Sequence, residues 1–286
     1  MMAQLLDGKS LSLEIREDVK NRVEKLIHKN GITPHLAVIL VGDNPASQSY
    51  VKGKETACRK AGIISTVVKV DALISEVELL KIVDDLNNDT SVHGILLQLP
   101  IPKHLNAENV IEHIRSDKDV DGFTPKNVAL LTNGFPHLVP CTPLGIIRIL
   151  KKYHIPIEGQ HCVVIGRSQI VGKPMASLLL RENGTVTICH SRTKDLQAMA
   201  KTADILVVAM GKPKMVNSSY IKTGATVIDV GISRVDDVIV GDVEFESAEK
   251  VAGFITPVPG GVGPMTIACL LENTLTCYES LVENKR

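Results

Sequence analysis

Apolar residues in the first part of the chain alternate between helical spacing and short uninterrupted runs. Stripes at three- and four-residue intervals predict helices, and apolar runs bounded by turn residues predict buried strands. Helices and strands follow one another in turn, which indicates a parallel sheet covered by helices. The predicted helices cover 10–28, 47–61, 75–86 and 106–114, and the predicted strands cover 36–42, 63–70 and 94–100.

The pattern breaks at 116–143, where prolines and aspartates cluster and no helical or strand period continues. We interpret this stretch as a link between two domains. A helix at 144–153 then opens a second alternating series, which ends in a helix at 264–282 whose apolar face is predicted to pack back on the first domain. The predicted strands of this series are HCVVIG, TVTIC, DILVVAM, ATVIDVG and 252–255, with helices to Glu182 and near 195–201 and a small hairpin in VDDVIVGDVEF.

These patterns predict the α/β fold class, with two three-layer αβα domains. The first domain is predicted to comprise residues 1–140 and to be completed by the C-terminal helix 264–286. The second is predicted to comprise residues 141–263.

The second domain begins with a strand, a glycine turn and a helix start in His161–Pro174. Such a unit is the usual seat of a dinucleotide pyrophosphate, because the helix N-terminus offers free N–H groups and a positive dipole end. The glycines, Gly166 and Gly172, do not have the G-x-G-x-x-G spacing. An ordinary strand-to-helix turn therefore stays open as an alternative on this stretch alone.

The bulk composition excludes several function classes. The 286 residues carry no formal net charge, which leaves no basic footprint for nucleic acid or for an anionic membrane. No signal peptide is recognisable, and no apolar stretch reaches the roughly 18 residues of a spanning helix. Six scattered cysteines without Cys-x-x-Cys spacing indicate buried, reduced thiols. We therefore expect a cytoplasmic protein without a metal.

Two polar residues of the first domain are candidates for chemistry. Lys54 follows Tyr50 by four residues, so both lie on one face of the predicted helix. A lysine held beside a phenol suits a general base or a polarising cation, whereas a surface lysine is the structural alternative. Gln98 interrupts the apolar run GILLQLP at the carboxyl end of a predicted strand, where ligands of parallel sheets bind. A structural hydrogen bond is the alternative there.

Two further segments have the composition of ligand-binding loops. Asp119 and Asp121 alternate, but no further carboxylate or histidine cluster accompanies them, so one carboxylate accepting hydrogen bonds from a heterocycle is favoured over a metal. An Asx turn before Gly122 is the structural alternative. The loop TPVPGGVGPMT, 256–266, has glycines that permit close backbone approach to a ligand, or it is an interdomain turn.

The later domain carries hydroxyls and cations where enzymes that use NAD often place a carboxylate. Arg167 and Ser168 lie in the first turn, and Ser191 and Arg192 follow the second strand. These groups suit a 2′-phosphate and therefore predict NADP as the cofactor. A solvated basic turn is the alternative.

Together, these segments closely resemble the bifunctional methylenetetrahydrofolate dehydrogenase/methenyltetrahydrofolate cyclohydrolase family over essentially the full length of the chain. Seven segments in the family's order make the resemblance specific. They are SYVKGK at 49–54, GILLQLP at 94–100, DVDGF at 119–123, PCTP at 140–143, GRSQIVGKP at 166–174, CHSRT at 189–193 and TPVPGGVGPMT at 256–266.

The resemblance implies oxidation of 5,10-methylenetetrahydrofolate to 5,10-methenyltetrahydrofolate with NADP, and hydrolysis of that product to 10-formyltetrahydrofolate. These steps belong to one-carbon metabolism and purine biosynthesis. It also implies a folate-binding catalytic first domain, a Rossmann-like NADP-binding second domain, a cleft between them and a homodimer.

The resemblance further implies roles for individual residues. Lys54 would be the catalytic lysine, supported by Tyr50, Gln98 and Asp121. The implied substrate-binding residues are Tyr50, Gln98, Leu99, Asp121, Pro259, Gly260 and Gly261, and the implied cofactor-binding residues are Gly166, Arg167, Ser168, Ser191, Arg192 and Ile232.

Two other functions remain as alternatives at this point. One is a different two-domain NADP-dependent dehydrogenase of the shikimate type, in which a lysine and an aspartate act together. The other is a non-catalytic nucleotide-binding module, in which Tyr50, Lys54 and Gln98 are structural.

Overall fold

The computed structural model describes residues 2–282, which form two compact units, each built on its own parallel sheet. The six-stranded unit comprises the chain up to Leu13 together with Pro140–Cys269. The three-stranded unit comprises Glu14–Val139 together with the chain from Leu270. The predicted α/β class with two domains is confirmed.

Strands and helices alternate along most of the described chain. The strands are β1 (Gln4–Leu5), β2 (His35–Val41), β3 (Ile64–Val70), β4 (Gly94–Leu97), β5 (His161–Ile165), β6 (Thr185–Cys189), β7 (Ile205–Val208), β8 (Thr226–Asp229), β9 (Ser233–Val235), β10 (Val238–Val240) and β11 (Phe254–Ile255). The helices are α1 (Gly8–Asn30), α2 (Pro45–Ala61), α3 (Glu76–Asn88), α4 (Ala107–His113), α5 (Pro125–Thr132), α6 (Cys141–Lys152), α7 (Gly172–Arg181), α8 (Leu196–Ala200), α9 (Phe245–Ala248) and α10 (Val262–Val282), with a 3₁₀ turn at Ser218–Tyr220.

The three-stranded unit has the strand order β3-β2-β4, with both pairs parallel. Ile39 of the central strand packs in a buried cluster with Leu79 and Val83 of α3. Its neighbour Val38, which points to the opposite face of the strand, is also fully buried. Both faces of β2 are therefore covered, which explains why its sequence reads as an uninterrupted apolar run.

The six-stranded unit has the order β1-β11-β8-β7-β5-β6, and all neighbouring strands are parallel. The first strand of its alternating series, β5, has β6 on one side and β7 on the other. Val163 and Leu206 belong to one core cluster, while the alternate residue Val164 is buried on the other face. The sheet is thus covered on both faces, as predicted.

The ends of the chain are distributed between the units differently from the predicted domain boundaries. Residues 4–5 form β1, which pairs with β11, so the first residues belong to the six-stranded sheet. The prediction had placed them in the first domain, because a two-residue strand has no readable period. The functional assignment of the two domains and the cleft expected between them stay predictions.

The last helix is divided between the two units. From Leu270 on, it belongs to the three-stranded unit, where Asn273 donates to the carbonyl oxygen of Val120 at 2.8 Å and Tyr278 donates to that of Ile32 at 3.0 Å. The helix begins at Val262, two residues before the predicted start, and its first residues belong to the six-stranded unit. The predicted residues 283–286 lie outside the described part of the chain.

Three other expectations needed correction or refinement. The link at 116–143 contains an unpredicted helix, α5, in which Pro125 occupies the first turn. The strand expected at 94–100 ends at Leu97. The small hairpin is present as the antiparallel pair β9–β10, joined by Asp236 and Asp237, both with positive φ.

All six cysteine side chains are buried, as predicted from their apolar surroundings. Burial raises the pKa of Cys58 to about 12 and that of Cys162 to about 11, so both are protonated thiols at neutral pH. Within residues 2–282, no helix is long and apolar enough to cross a membrane.

Candidate functional site

Helix α2 fixes the position of the lysine candidate. Asn44 caps the helix by accepting from the Ser47 N–H at 3.1 Å, and a proline in the first turn stabilises the start. Lys54 is half-buried one turn after Tyr50, whose side chain is 46% exposed. Both residues therefore lie on one face of the helix, with the phenol open to solvent.

Gln98 lies at the carboxyl end of β4 and contacts this lysine. Its buried side-chain oxygen Oε1 accepts a hydrogen bond from Lys54 Nζ at 2.9 Å. Its amide nitrogen Nε2 donates to the Leu99 carbonyl oxygen at 2.7 Å. The second bond fixes which end of the amide faces the lysine, because only the oxygen remains to accept from Nζ. The structure thus brings Lys54 of α2 to Gln98 and Leu99, which follow β4.

The lysine has a neutral partner rather than a charged one. Gln98 satisfies one of the three donors of an ammonium group without adding negative charge. No ion pair to Lys54 occurs within the part of the chain that the structure describes. An amine held in this way is oriented by a neutral partner, which suits a group that exchanges protons with a substrate.

The two aspartates of DVDG differ in their surroundings. Asp119 is buried, and its Oδ2 accepts from the Thr124 N–H at 2.8 Å and from Asn127 Nδ2 at 2.9 Å. It therefore supports the start of α5. The segment turns at Gly122, whose N–H donates to the Asp119 carbonyl oxygen. Asp121 is half-buried, and its role stays a prediction.

The glycine- and proline-rich loop is held by the first turn of α1 within the six-stranded unit. The Lys9 N–H donates to the Gly260 carbonyl oxygen at 2.8 Å. Gly261 is buried, whereas Pro259 is exposed. The loop is therefore anchored on one side and accessible on the other, which leaves Pro259 and Gly260 available to a ligand.

The turn after β5 has the backbone geometry of a nucleotide-binding turn. Gly166 has φ of 138°, and a side chain there would overlap with the Ala209 carbonyl oxygen. Only glycine fits this position. Ser168 Oγ accepts from the Val171 N–H at 3.2 Å, just before α7 begins. The residues present therefore fit a phosphate-bearing cofactor at the N-terminus of α7.

The predicted cofactor contacts flank this turn. Arg167 and Ser168 are exposed in it, and Ser191 and Arg192 are exposed after β6. Because β5 and β6 are neighbouring parallel strands, both sets of side chains lie at the same edge of the sheet. Ile232, 48% exposed, follows β8 at that edge. The chemistry of these cations and hydroxyls fits the 2′-phosphate of NADP.

Two buried aspartates at this edge had no predicted role. Asp229 is the last residue of β8, and Asp242 follows β10. Both accept hydrogen bonds from backbone N–H groups. A carboxylate directly after the apolar residues of a predicted strand was the available signal for Asp229. Among residues 2–282, no group of three or more His, Cys, Asp or Glu side chains is arranged to hold a metal ion.

Two family models match the chain and together span most of it. The catalytic domain of tetrahydrofolate dehydrogenase/cyclohydrolase matches residues 6–121. The NAD(P)-binding domain of the same enzyme matches residues 140–282.

Similar proteins cover the chain almost completely. The bifunctional protein FolD of Oceanobacillus iheyensis is 55% identical over 286 residues, which is 100% of both chains. The crystal structure of the bifunctional FolD enzyme of Campylobacter jejuni, a methylenetetrahydrofolate dehydrogenase/cyclohydrolase, is 50% identical with a TM-score of 0.95 and covers 99% of this chain and 100% of its own. The Trypanosoma brucei enzyme, solved with NADP cofactor and inhibitor, is 37% identical with a TM-score of 0.94 and 98% coverage of each chain.

Proposed function

We infer that this chain, which belongs to the tetrahydrofolate dehydrogenase/cyclohydrolase family, catalyses two consecutive reactions. It oxidises 5,10-methylenetetrahydrofolate to 5,10-methenyltetrahydrofolate with NADP, and it hydrolyses the product to 10-formyltetrahydrofolate. The observation that carries this proposal for the site is the hydrogen bond between Lys54 and Gln98, which presents an oriented amine at the end of a parallel strand.

The hydrolysis needs a proton acceptor, and Lys54 is suited to that role. Methenyltetrahydrofolate is a cation whose charge is shared by two nitrogens around one carbon. Water adds to that carbon and loses a proton to the neutral amine of Lys54, giving a carbinol. The bond between this carbon and N5 then breaks: the carbinol hydroxyl loses its proton as the carbonyl forms, N5 gains a proton, and a formyl group remains on N10. The proton taken up by Lys54 returns to solvent. Gln98 keeps the amine directed at the reacting carbon.

The oxidation depends mainly on positioning. In the substrate the lone pairs of two flanking nitrogens expel hydride from the bridging carbon, so a strong acid or base is unnecessary. Bound NADP supplies the hydride acceptor. We assign Asp121 to the paired N–H donors of the pterin, because a carboxylate accepts two parallel hydrogen bonds. Tyr50 offers its exposed ring to the aminobenzoyl group.

The remaining contacts divide between the two ligands. Leu99, Pro259, Gly260 and Gly261 border the folate in this proposal. Gly166, Arg167, Ser168, Ser191, Arg192 and Ile232 hold the cofactor, with the two arginines directed to its 2′-phosphate. In this proposal the three-stranded unit, Glu14–Val139 with the chain from Leu270, is the catalytic domain, and the six-stranded unit is the cofactor domain.

The cellular setting follows from the same family resemblance. We place the two reactions in the cytoplasmic supply of one-carbon units for purine biosynthesis, carried out by a homodimer. The zero formal net charge supports a small-molecule substrate rather than nucleic acid. Light scattering of the purified protein tests the dimer, since a monomeric mass would contradict it.

Assays on the purified chain test the proposed chemistry. Incubation with 5,10-methylenetetrahydrofolate and NADP should produce NADPH, and added methenyltetrahydrofolate should be hydrolysed much faster than in buffer alone. Shikimate with NADP serves as the comparison substrate, although the family assignment does not favour a shikimate-type enzyme. NADPH production from shikimate and none from the folate would contradict the proposal.

A further inference from the structure

The turn after β7 lies at the point in the six-stranded sheet where ligands of such sheets bind. Strand order reverses between β5 and β7, and dinucleotides bind in open parallel sheets at the carboxyl ends of the strands where the order reverses. The Ala209 N–H donates to the Ile165 carbonyl oxygen at 2.8 Å, and the Ala209 carbonyl oxygen packs against Gly166. The path of the chain at 209–211 therefore sets one wall of the place where a cofactor would lie.

Asp242 holds the turn at 209–211 by hydrogen bonds to its backbone. Its side chain is completely buried, and its Oδ2 accepts from the N–H groups of Met210 at 2.6 Å and Gly211 at 2.8 Å. Its other oxygen, Oδ1, is buried, has no hydrogen-bond partner among residues 2–282 and lies against Gly231, where a side chain would overlap with it. One carboxylate thus anchors two consecutive N–H groups of one turn and packs on the backbone of the next.

Asp229 holds the segment that carries Asp242. Its Oδ1 accepts from the N–H groups of Gly231 and Asp242, both at 2.9 Å, and its Oδ2 accepts from that of Val243 at 2.9 Å. Its own N–H donates to Thr256 Oγ1 at 2.8 Å. The two carboxylates therefore act in series: Asp229 fixes the backbone of Asp242, and Asp242 fixes the turn after β7.

Two buried carboxylates are an expensive way to shape a turn. Each must lose its hydration, and Asp242 keeps one oxygen unpaired. Burial raises the pKa of Asp229 to about 6, against the effect of its backbone donors. Apolar packing would hold these turns with a smaller loss of folding free energy. The placement of the two carboxylates at the ligand-binding edge therefore indicates a role in holding the ligand.

We propose that Asp242 and Asp229 are positioning residues for the dinucleotide, which fix the turns after β7 and β8 at the spacing that the nicotinamide half of NADP requires. The β5 turn and the end of β6 serve the other half of the cofactor. This inference rests on the proposed NADP-dependent function. The ligand concerned is NADP, and neither aspartate takes part in the bond changes.

Kinetics with varied NADP at saturating 5,10-methylenetetrahydrofolate test the proposal, together with the Kd for NADPH from its fluorescence. Asp242→Asn preserves the size of the side chain but removes its charge. Because the turn loses its charge-assisted anchor, KM for NADP and Kd for NADPH should rise at least about tenfold, while kcat changes less than about threefold. A merely structural role would lower the yield of folded protein without this split between KM and kcat.

Asp204→Asn is the matched control. In the wild type, Asp204 Oδ2 also accepts from a backbone N–H, that of His161 at 2.9 Å. Asp204, however, lies at the amino ends of the strands, opposite the ligand-binding edge. KM for NADP should stay within about twofold of the wild-type value, because this end of the sheet lies away from the ligand. Gly231→Ala serves as a second variant, since the added methyl group displaces Asp242 without changing the charge of either aspartate.

The outcomes separate the two proposals. A wild-type protein that forms no NADPH from the folate overturns the proposed function. An active wild type, combined with folded Asp242→Asn and Gly231→Ala variants of unchanged KM and Kd, overturns the positioning role. The same rise in KM for Asp204→Asn would overturn it as well, because the effect would then be one of general stability.

Discussion

The two units place polar side chains at strand ends in opposite ways. In the three-stranded unit, the buried amide of Gln98 contacts a half-buried lysine, Lys54, beside an exposed phenol. In the six-stranded unit, Asp229 and Asp242 are buried, and backbone donors occupy three of their four oxygens. The first arrangement leaves a reactive group accessible, and the second uses charge to shape the backbone.

Substitutions in the two units should therefore change different kinetic quantities. A residue that presents a reactive group affects the rate of one reaction, whereas a residue that shapes a turn affects ligand affinity. Matched substitutions in the two units test this division.

The largest effect is expected for Lys54→Met, which keeps the length of the side chain but removes the amine. Hydrolysis of methenyltetrahydrofolate should fall about 10²- to 10⁴-fold, the usual contribution of a general base. The rate is measured from the disappearance of added methenyltetrahydrofolate. Lys52→Met is the control, because Lys52 is exposed on the same helix. This variant should hydrolyse methenyltetrahydrofolate at the wild-type rate. Normal hydrolysis by Lys54→Met would remove the lysine from the mechanism.

The pattern of the sequence was sufficient to find the first arrangement but not the second. Gln98 is conspicuous because it interrupts an apolar run. It also follows the carboxyl end of a strand, where ligands of parallel sheets generally bind. Asp242 lies in VGDVEF among ordinary turn residues, and its importance depends on contacts with Met210 and Gly211, more than thirty positions earlier. Long-range acceptors of this kind leave no local period in the sequence.

Secondary structure shows the same limit. Helices with clear apolar stripes were predicted to within a few residues at each end, since local spacing determines them. Strand β1 was missed because its two residues form a strand only by pairing with β11. Helix α5 was missed because Asp119, six residues before it, supports its start through Thr124 and Asn127.

The next effect concerns stability against pH, where one group in each unit acts with opposite sign. Burial lowers the pKa of His93, in the three-stranded unit, from 6.5 to about 4. The stability it contributes is present above 6.5 and is lost as the pH falls toward 4. Burial raises the pKa of Asp229 from 3.8 to about 6, so the stability due to its protonated form is present below 3.8 and is lost as the pH rises through 6.

The measurement is the free energy of unfolding at pH 7 and pH 5. His93→Gln should reduce the loss between these two values by about 2 kcal/mol, because the variant has no imidazole to protonate on unfolding. Asp229→Asn should shift the same difference in the opposite direction. If the free energy of unfolding of both variants changed between pH 7 and pH 5 by the same amount as in the wild type, neither His93 nor Asp229 would titrate as described.

A smaller effect is expected for Gln98→Glu, which replaces the neutral partner of Lys54 by a charged one at the same position. The carboxylate stabilises the protonated lysine, so hydrolysis at pH 7 should fall about tenfold and its pH profile should move to higher pH. The profile is measured from pH 6 to pH 10. A tenfold loss of hydrolysis rate with an unchanged pH profile would mean that Gln98 supports the fold of the site and does not affect the protonation of the lysine.

The smallest effect is expected for Arg192→Ala in the six-stranded unit, where the side chain is exposed and its attraction for a phosphate is screened by salt. The ratio of kcat/KM for NADP to that for NAD should fall about fivefold, because only NADP carries the 2′-phosphate. Arg181→Ala is the matched control, since Arg181 is exposed at the far end of α7 from the cofactor turn. Hydrolysis of methenyltetrahydrofolate should be unchanged in the control. Equal losses with NADP and NAD in Arg192→Ala would mean that this arginine supports the turn after β6 and does not read the cofactor's phosphate.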